Sequence, residues 1–170
     1  PLALCPNHGP ANGQTGLLVL QRGSCGRTPG SFGGSRGATL DFASDFKHSP
    51  TADIAGAGTA ECSAGTVDVA GAYNITGTSL IDGGTVNFNG VVTSVGALVV
   101  NSGSVFFNSH NLTVPSLTLT GGTLGGSIAQ ITSTGLFTWE GGTLCGSGVT
   151  NANGDILFDG FYVYLDQRTL

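Results

Sequence analysis

Glu140 and Asp159 lie nineteen residues apart. In a chain that coils with that period, the two carboxylates stack one coil apart, roughly 5 Å by the spacing of paired strands. Carboxylates at that separation can share a Ca²⁺ ion or serve as the acid and nucleophile of a glycoside hydrolase. A working cleft would add cations for an acidic substrate and aromatic faces for sugar rings. The single lysine, Lys47, is distant, and Trp139 alternates onto the opposite face from its neighbour Glu140. A solvated acidic face that discourages sideways association accounts for the pair without chemistry, and the sequence favours it.

The other reactive residue types are weaker. "GGSRG" at 33–37 matches the G-x-S-x-G nucleophile elbow, but that elbow needs a strand before it and a helix after it. Here Gly- and Pro-rich text precedes Ser35 and strand-like "ATLDF" follows. His8, His48 and His110 share no metal-ligand spacing and read as surface residues. There are four cysteines and no C-x-x-C, which disfavours zinc. Cys62 falls in an inward position and Cys145 in an outward one, so these two are not expected to pair, whereas Cys5 and Cys25 could staple the N-terminal segment. A hydroxyl column (Thr66, Thr85, Ser104, Thr123, Thr143) has an irregular partner column of Asp68, Asn87, Phe106, Gly125 and Cys145, which argues against a flat ice-binding face. Asn74-Ile75-Thr76 and Asn111-Leu112-Thr113 match the N-glycosylation acceptor, which matters only in a eukaryotic secretory host.

What must position all of these is a repeat. A small-Gly-Thr/Ser-apolar phrase places its glycine at Gly65, Gly84, Gly103, Gly122 and Gly142, with spacings of 19, 19, 19 and 20. A second marker keeps the same beat at Gly58, Gly77, Gly96, Pro115, Gly135 and Gly154, and both residue types suit turns. After the second marker, one column reads Ala60, Ser79, Leu98, Leu117, Phe137, Ile156. Two residues on, another reads Cys62, Ile81, Val100, Leu119, Trp139, Phe158. Polar residues follow: Asp82, Asn101, Thr120, Glu140 and Asp159, with Glu61 between the first pair. Period two within a strand is thus laid over period nineteen between strands. The extra residue in the 122–141 unit precedes Gly135, so a turn absorbs it.

The pattern predicts an all-β chain, a right-handed parallel β-helix (β-solenoid) of about 19-residue coils. One such coil buries too little apolar surface to stand alone, so stability must come from stacking. A β-sandwich also uses short strands and regular turns. It does not require the same side-chain type at the same offset in successive units.

Composition agrees. Of 170 residues, 39% are hydrophobic and only 9% charged, which argues for a folded chain. Thirty glycines without a collagen period mean many turns or a repeat. The net charge is −5 with only five Lys and Arg, so no phosphate-tracking surface is expected. No apolar run reaches the length of a membrane-spanning helix. Met is absent and the chain begins with Pro1, which reads as a processed chain or a piece of a longer one.

Residues 1–36 lose the beat and hold four of the six prolines. They read as an irregular arm or cap, in which "GLLVLQ" at 16–21 could supply one strand. The coils are then assigned to 37–170, about five to six of them. The closing "FYVYLDQRTL" is apolar and ends abruptly, so further coils or a partner are expected to cover it.

The phrases "GTVNFNG", "GLFTWEGGTLCGSG", "TNANGDILFDG" and "LDQRTL" resemble the repeats of large bacterial surface proteins: β-strand-repeat, autotransporter-passenger and filamentous-haemagglutinin-like adhesins. The likeness covers about 37–170. The closing motif in that family usually reads L-D-G-R-T-L, and Gln167 departs from it. The resemblance implies a stalk or display surface on a secreted or cell-surface protein, with no catalytic residue, metal or cofactor. It implies as partners the neighbouring repeats of a longer chain and host or matrix glycans or proteins. The rival expectations are a carbohydrate-active β-helix enzyme and a carbohydrate-binding module.

Overall fold

A computed structural model describes residues 8–22, 27–127 and 130–170. The chain is a β-solenoid of about eight turns, and every strand pairing in it is parallel. No helix occurs among the described residues. Parallel pairing of residues about one repeat apart excludes the β-sandwich alternative, whose sheets are antiparallel.

Each coil has three faces. The first carries Ala11–Gly13, Ser31–Gly34, Asp53–Gly56, Ala72–Ile75 and Val92–Ser94 in one sheet, and Leu112–Val114, Gln130–Ser133 and Val149–Ala152 in another. The second and third faces share a 12-stranded sheet, because the long strands Thr78–Phe88, Ala97–Phe107, Phe137–Cys145 and Ile156–Asp166 run round the corner between them. Eight strands line the first face. At the spacing of paired strands, eight coils make a rod roughly 35–40 Å tall.

The inward columns fall where the alternation puts them. Ala60, Ser79, Leu98, Leu117, Phe137 and Ile156 pair successively in register. So do Cys62, Ile81, Val100, Leu119, Trp139 and Phe158. From Ala60 to Trp139 both columns are buried. Phe88 stacks on Phe107 at 4.8 Å between centroids, and Phe137 on Trp139 at 5.7 Å. Ser79, the polar member, hydrogen-bonds the Tyr73 hydroxyl at 2.7 Å inside the core.

The turn markers work by close approach as much as by conformation. Gly96 has φ 60 and Gly103 φ 75, both in the left-handed region that a side chain disfavours. A Cβ on either would also collide with the carbonyl of the marker one coil below, Gly77 or Gly84. The extra residue near Gly135 sits where the spacing placed it: Val114 pairs Ser133, 19 apart, whereas Leu117 pairs Phe137, 20 apart.

Three expectations are corrected. First, the coils do not begin at 37. Gly16–Leu20 pairs Ala38–Ala43, and Ala11–Gly13 pairs Ser31–Gly34. The beat fades there because coil length changes: Leu18 pairs Leu40, 22 residues on, and Leu40 pairs Ala60, 20 on. What reads as an arm therefore contributes one coil and the first strand of the next, and the total is about eight rather than five to six. Second, Ile156 and Phe158 keep the register of the inward columns, but on the last coil described Ile156 is half-buried and Phe158 is 52% exposed. Third, His48 is buried and not a surface residue, being 1% exposed. The "GLLVLQ" segment does form an outermost strand, Gly16–Leu20. Cys5 and Cys25, and hence their expected pairing, lie outside the described residues.

Candidate functional site

The carboxylate pair does not form a regular stack. Trp139 pairs Phe158, 19 residues on, but Gly141 pairs Tyr162, 21 on. Two extra residues therefore enter the last coil across Asp159–Phe161, and the register breaks at the very corner that carries Glu140 and Asp159. Both carboxylates are exposed, and Phe161, in the bulge, is 99% exposed. No group of three or more His, Cys, Asp or Glu placed to hold a metal occurs among the described residues.

Acidic side chains converge elsewhere on the second face. Asp41 pairs Glu61 in adjacent coils, and Asp82 follows one coil later. Glu61's carboxyl is held above the usual range, first by burial and then by the charges of Asp41 and Asp82. Asp41 is itself nearly buried and accepts a hydrogen bond from the Ser63 hydroxyl at 2.8 Å. The outward column above it is tied by shorter-range polar rungs: Thr120 donates to Asn101 at 3.2 Å, and on the third face Asn87 donates to Asp68 at 2.8 Å. These are neighbour-to-neighbour bonds within a ladder.

Ser35 lies at an exposed corner, followed by the strand Ala38–Ala43 and not a helix. Its hydroxyl donates to Gln14 Oε1 at 3.4 Å. No histidine serves it: His48 is sealed in the core. There its ring lies edge-on to Phe32 at 5.1 Å and Phe42 at 5.4 Å and stacks on Phe46 at 6.2 Å. Among the described residues neither ring nitrogen has a hydrogen-bond partner, and burial pulls its pKa down to about 4. His8 and His110 are exposed, with His110 Nδ1 against the Ser109 hydroxyl at 2.8 Å.

Cys62 is a free thiol in the core, and burial reinforced by Asp41 and Glu61 pushes its pKa up to about 12. A thiol so protonated is inert as a nucleophile. Cys145 is free and half-buried, as its outward position implies. The hydroxyl column Thr66, Thr85, Ser104, Thr123 and Thr143 pairs in register on the third face. Of the two glycosylation-type asparagines, Asn74 is exposed, and Asn111 accepts the Gln130 backbone N–H at 3.0 Å.

The spacing gave no sign of three polar arrangements: the Tyr73–Ser79 bond, the buried Arg168 near the C-terminus, and a groove on the first face beside Arg36. Each joins faces whose relative placement depends on turn geometry. The class that the fold defines is a parallel β-solenoid. No protein-family model, curated protein or solved structure matches the chain.

Proposed function

We propose that this chain is a rigid structural or adhesive section of a larger secreted or surface-exposed bacterial repeat protein, acting as a stalk or display surface. One observation carries the reading: a core of stacked apolar side chains runs continuously from coil to coil, while the outward columns change in chemistry from one coil to the next. Such a build gives length and stiffness from repetition and leaves the outer residues free to vary. The reading assigns no catalytic step and no cofactor. Its partners are neighbouring repeats of the same chain and extracellular glycans or proteins.

The enzyme alternative is weakened by the broken register between Glu140 and Asp159 and by the solvent around both. The test is localisation of the parent chain in its own cells. Antibody to this section should label intact cells or the culture medium, and external protease should remove the signal. Recovery only in the cytosolic fraction would overturn the proposal.

A further inference from the structure

On the first face, the outward positions Asn12, Gly33, Ala55 and Asn74 align in register across four coils. The middle two have no side chain or a single methyl. The result is a depression of about 450 Å³, floored by Gly33 and Ala55 and edged by Asn12, Gln14, Ser35 and Arg36. That volume lies within the ~300–1,000 Å³ of small-molecule sites. Residue 33 must be Gly because the chain is close-packed there: a Cβ would sit 2.6 Å from the Ala55 carbonyl oxygen and 2.8 Å from Asn12 Oδ1, which lies against the floor.

The rim has unspent hydrogen-bonding capacity. Arg36 is exposed and, among the described residues, makes no hydrogen bond or ion pair. Asn12 likewise has no side-chain hydrogen bond, and Gln14 is engaged only through Oε1, by Ser35. Three donor side chains on two coils thus border one concavity. A planar guanidinium matches a carboxylate with two parallel bonds. Amides and a hydroxyl supply both donors and acceptors, as a polyol requires. The floor is backbone and the Ala55 methyl, with Asn12 Oδ1 lying against Gly33.

We propose that this groove binds a carboxylated sugar, with Arg36 on the carboxylate and Asn12, Gln14 and Ser35 on the ring hydroxyls. It rests on the reading of the rod as a display surface and names the place on that surface where a ligand sits. The single cation favours a singly charged acid over a phosphate, since the chain's net charge of −5 repels multiply charged anions.

The test is a backbone amide NMR titration of the whole chain with glucuronate, glucose and inorganic phosphate. Glucuronate should shift the amides of residues 33–36 and 55–57, more strongly than glucose or phosphate. Arg36→Gln should weaken glucuronate by about tenfold while leaving the weak glucose response unchanged. Asn12→Ala, on the exposed rim, should weaken both sugars. The proposal is overturned by the absence of glucuronate shifts at these amides, by equal shifts with phosphate, or by affinity that Arg36→Gln leaves intact. These outcomes are independent of where the parent chain resides, so the groove and the stalk reading fail separately.

Discussion

Arg168 Nε donates a hydrogen bond to Thr150 Oγ1 at 2.7 Å, and both residues are buried. Thr150 ends the inward column Leu112–Ile131–Thr150 of the first face. The same guanidinium reaches the carbonyls of Cys145 at 3.3 Å and Val149 at 3.2 Å. The backbone beside it closes the bond pattern, with Thr150 N–H on the Thr169 carbonyl at 2.8 Å. One arginine therefore ties the end of the strand Phe137–Cys145 to the first-face strand Val149–Ala152 and gives the polar end of an apolar column its partner.

Replacing Arg168 by Met keeps the aliphatic stem and removes every one of these donors. Thr150 Oγ1 is left buried without that partner, so the last coil should lose about 2–4 kcal/mol. Hydrogen exchange should show the amides of 149–152 and 169 opening sooner, while those of 97–107 keep their protection. Unchanged protection of the last coil would contradict the clamp.

Gln167 has φ 58, the one non-glycine with positive φ among the described residues. The turn that places Arg168 therefore runs through a conformation that costs a side chain energy. Gln167→Gly should relieve that cost and stabilise by about 0.5–1 kcal/mol after the entropic penalty of glycine. Urea denaturation measures it, with an unchanged slope and a higher midpoint.

His48 is neutral in the fold, with a pKa of about 4 against an ordinary value of 6.5. Its folded pKa is depressed, so full stability is present above pH 6.5 and is lost as pH falls toward 4. The loss across that window is about 3 kcal/mol. Denaturation midpoints of the wild type should fall from pH 7 to pH 4.5 more steeply than those of His48→Leu. Parallel curves for the two would refute the assignment.

The Tyr73 hydroxyl and Ser79 Oγ are each other's buried partner at 2.7 Å. Tyr73→Phe should cost about 1–3 kcal/mol by stranding Ser79, and Ser79→Ala should strand the phenol. The double variant should recover much of the loss, because an apolar pair needs no partner. A double-mutant cycle with no coupling energy would place the bond elsewhere.

How much of this was legible in the sequence differs by position. Leu98, Leu117 and Phe137 could be placed because a column repeats one requirement, apolar and inward, at a fixed interval. The same logic located the extra residue near Gly135. It failed at both ends, where coil lengths depart from nineteen: Leu18 and Leu40 are 22 apart, and the Glu140–Asp159 corner carries two inserted residues. Periodicity registers only what recurs, so a one-off insertion moves every later residue unseen. His48 was misplaced for the same reason, lying on an early strand outside the regular beat.

By itself, then, the sequence determined the local alternation, the turn positions and the parallel stacking, because each is set by contacts between neighbours along the chain or one repeat away. Only the tertiary structure decided which polar groups meet. Arg168 finds Thr150 from the next coil along, Tyr73 finds Ser79 across a turn, and Arg36 borders the same depression as Asn12 and Gln14. Those meetings depend on how far each corner bends the chain, and corner geometry is summed over the whole coil rather than written at any one residue.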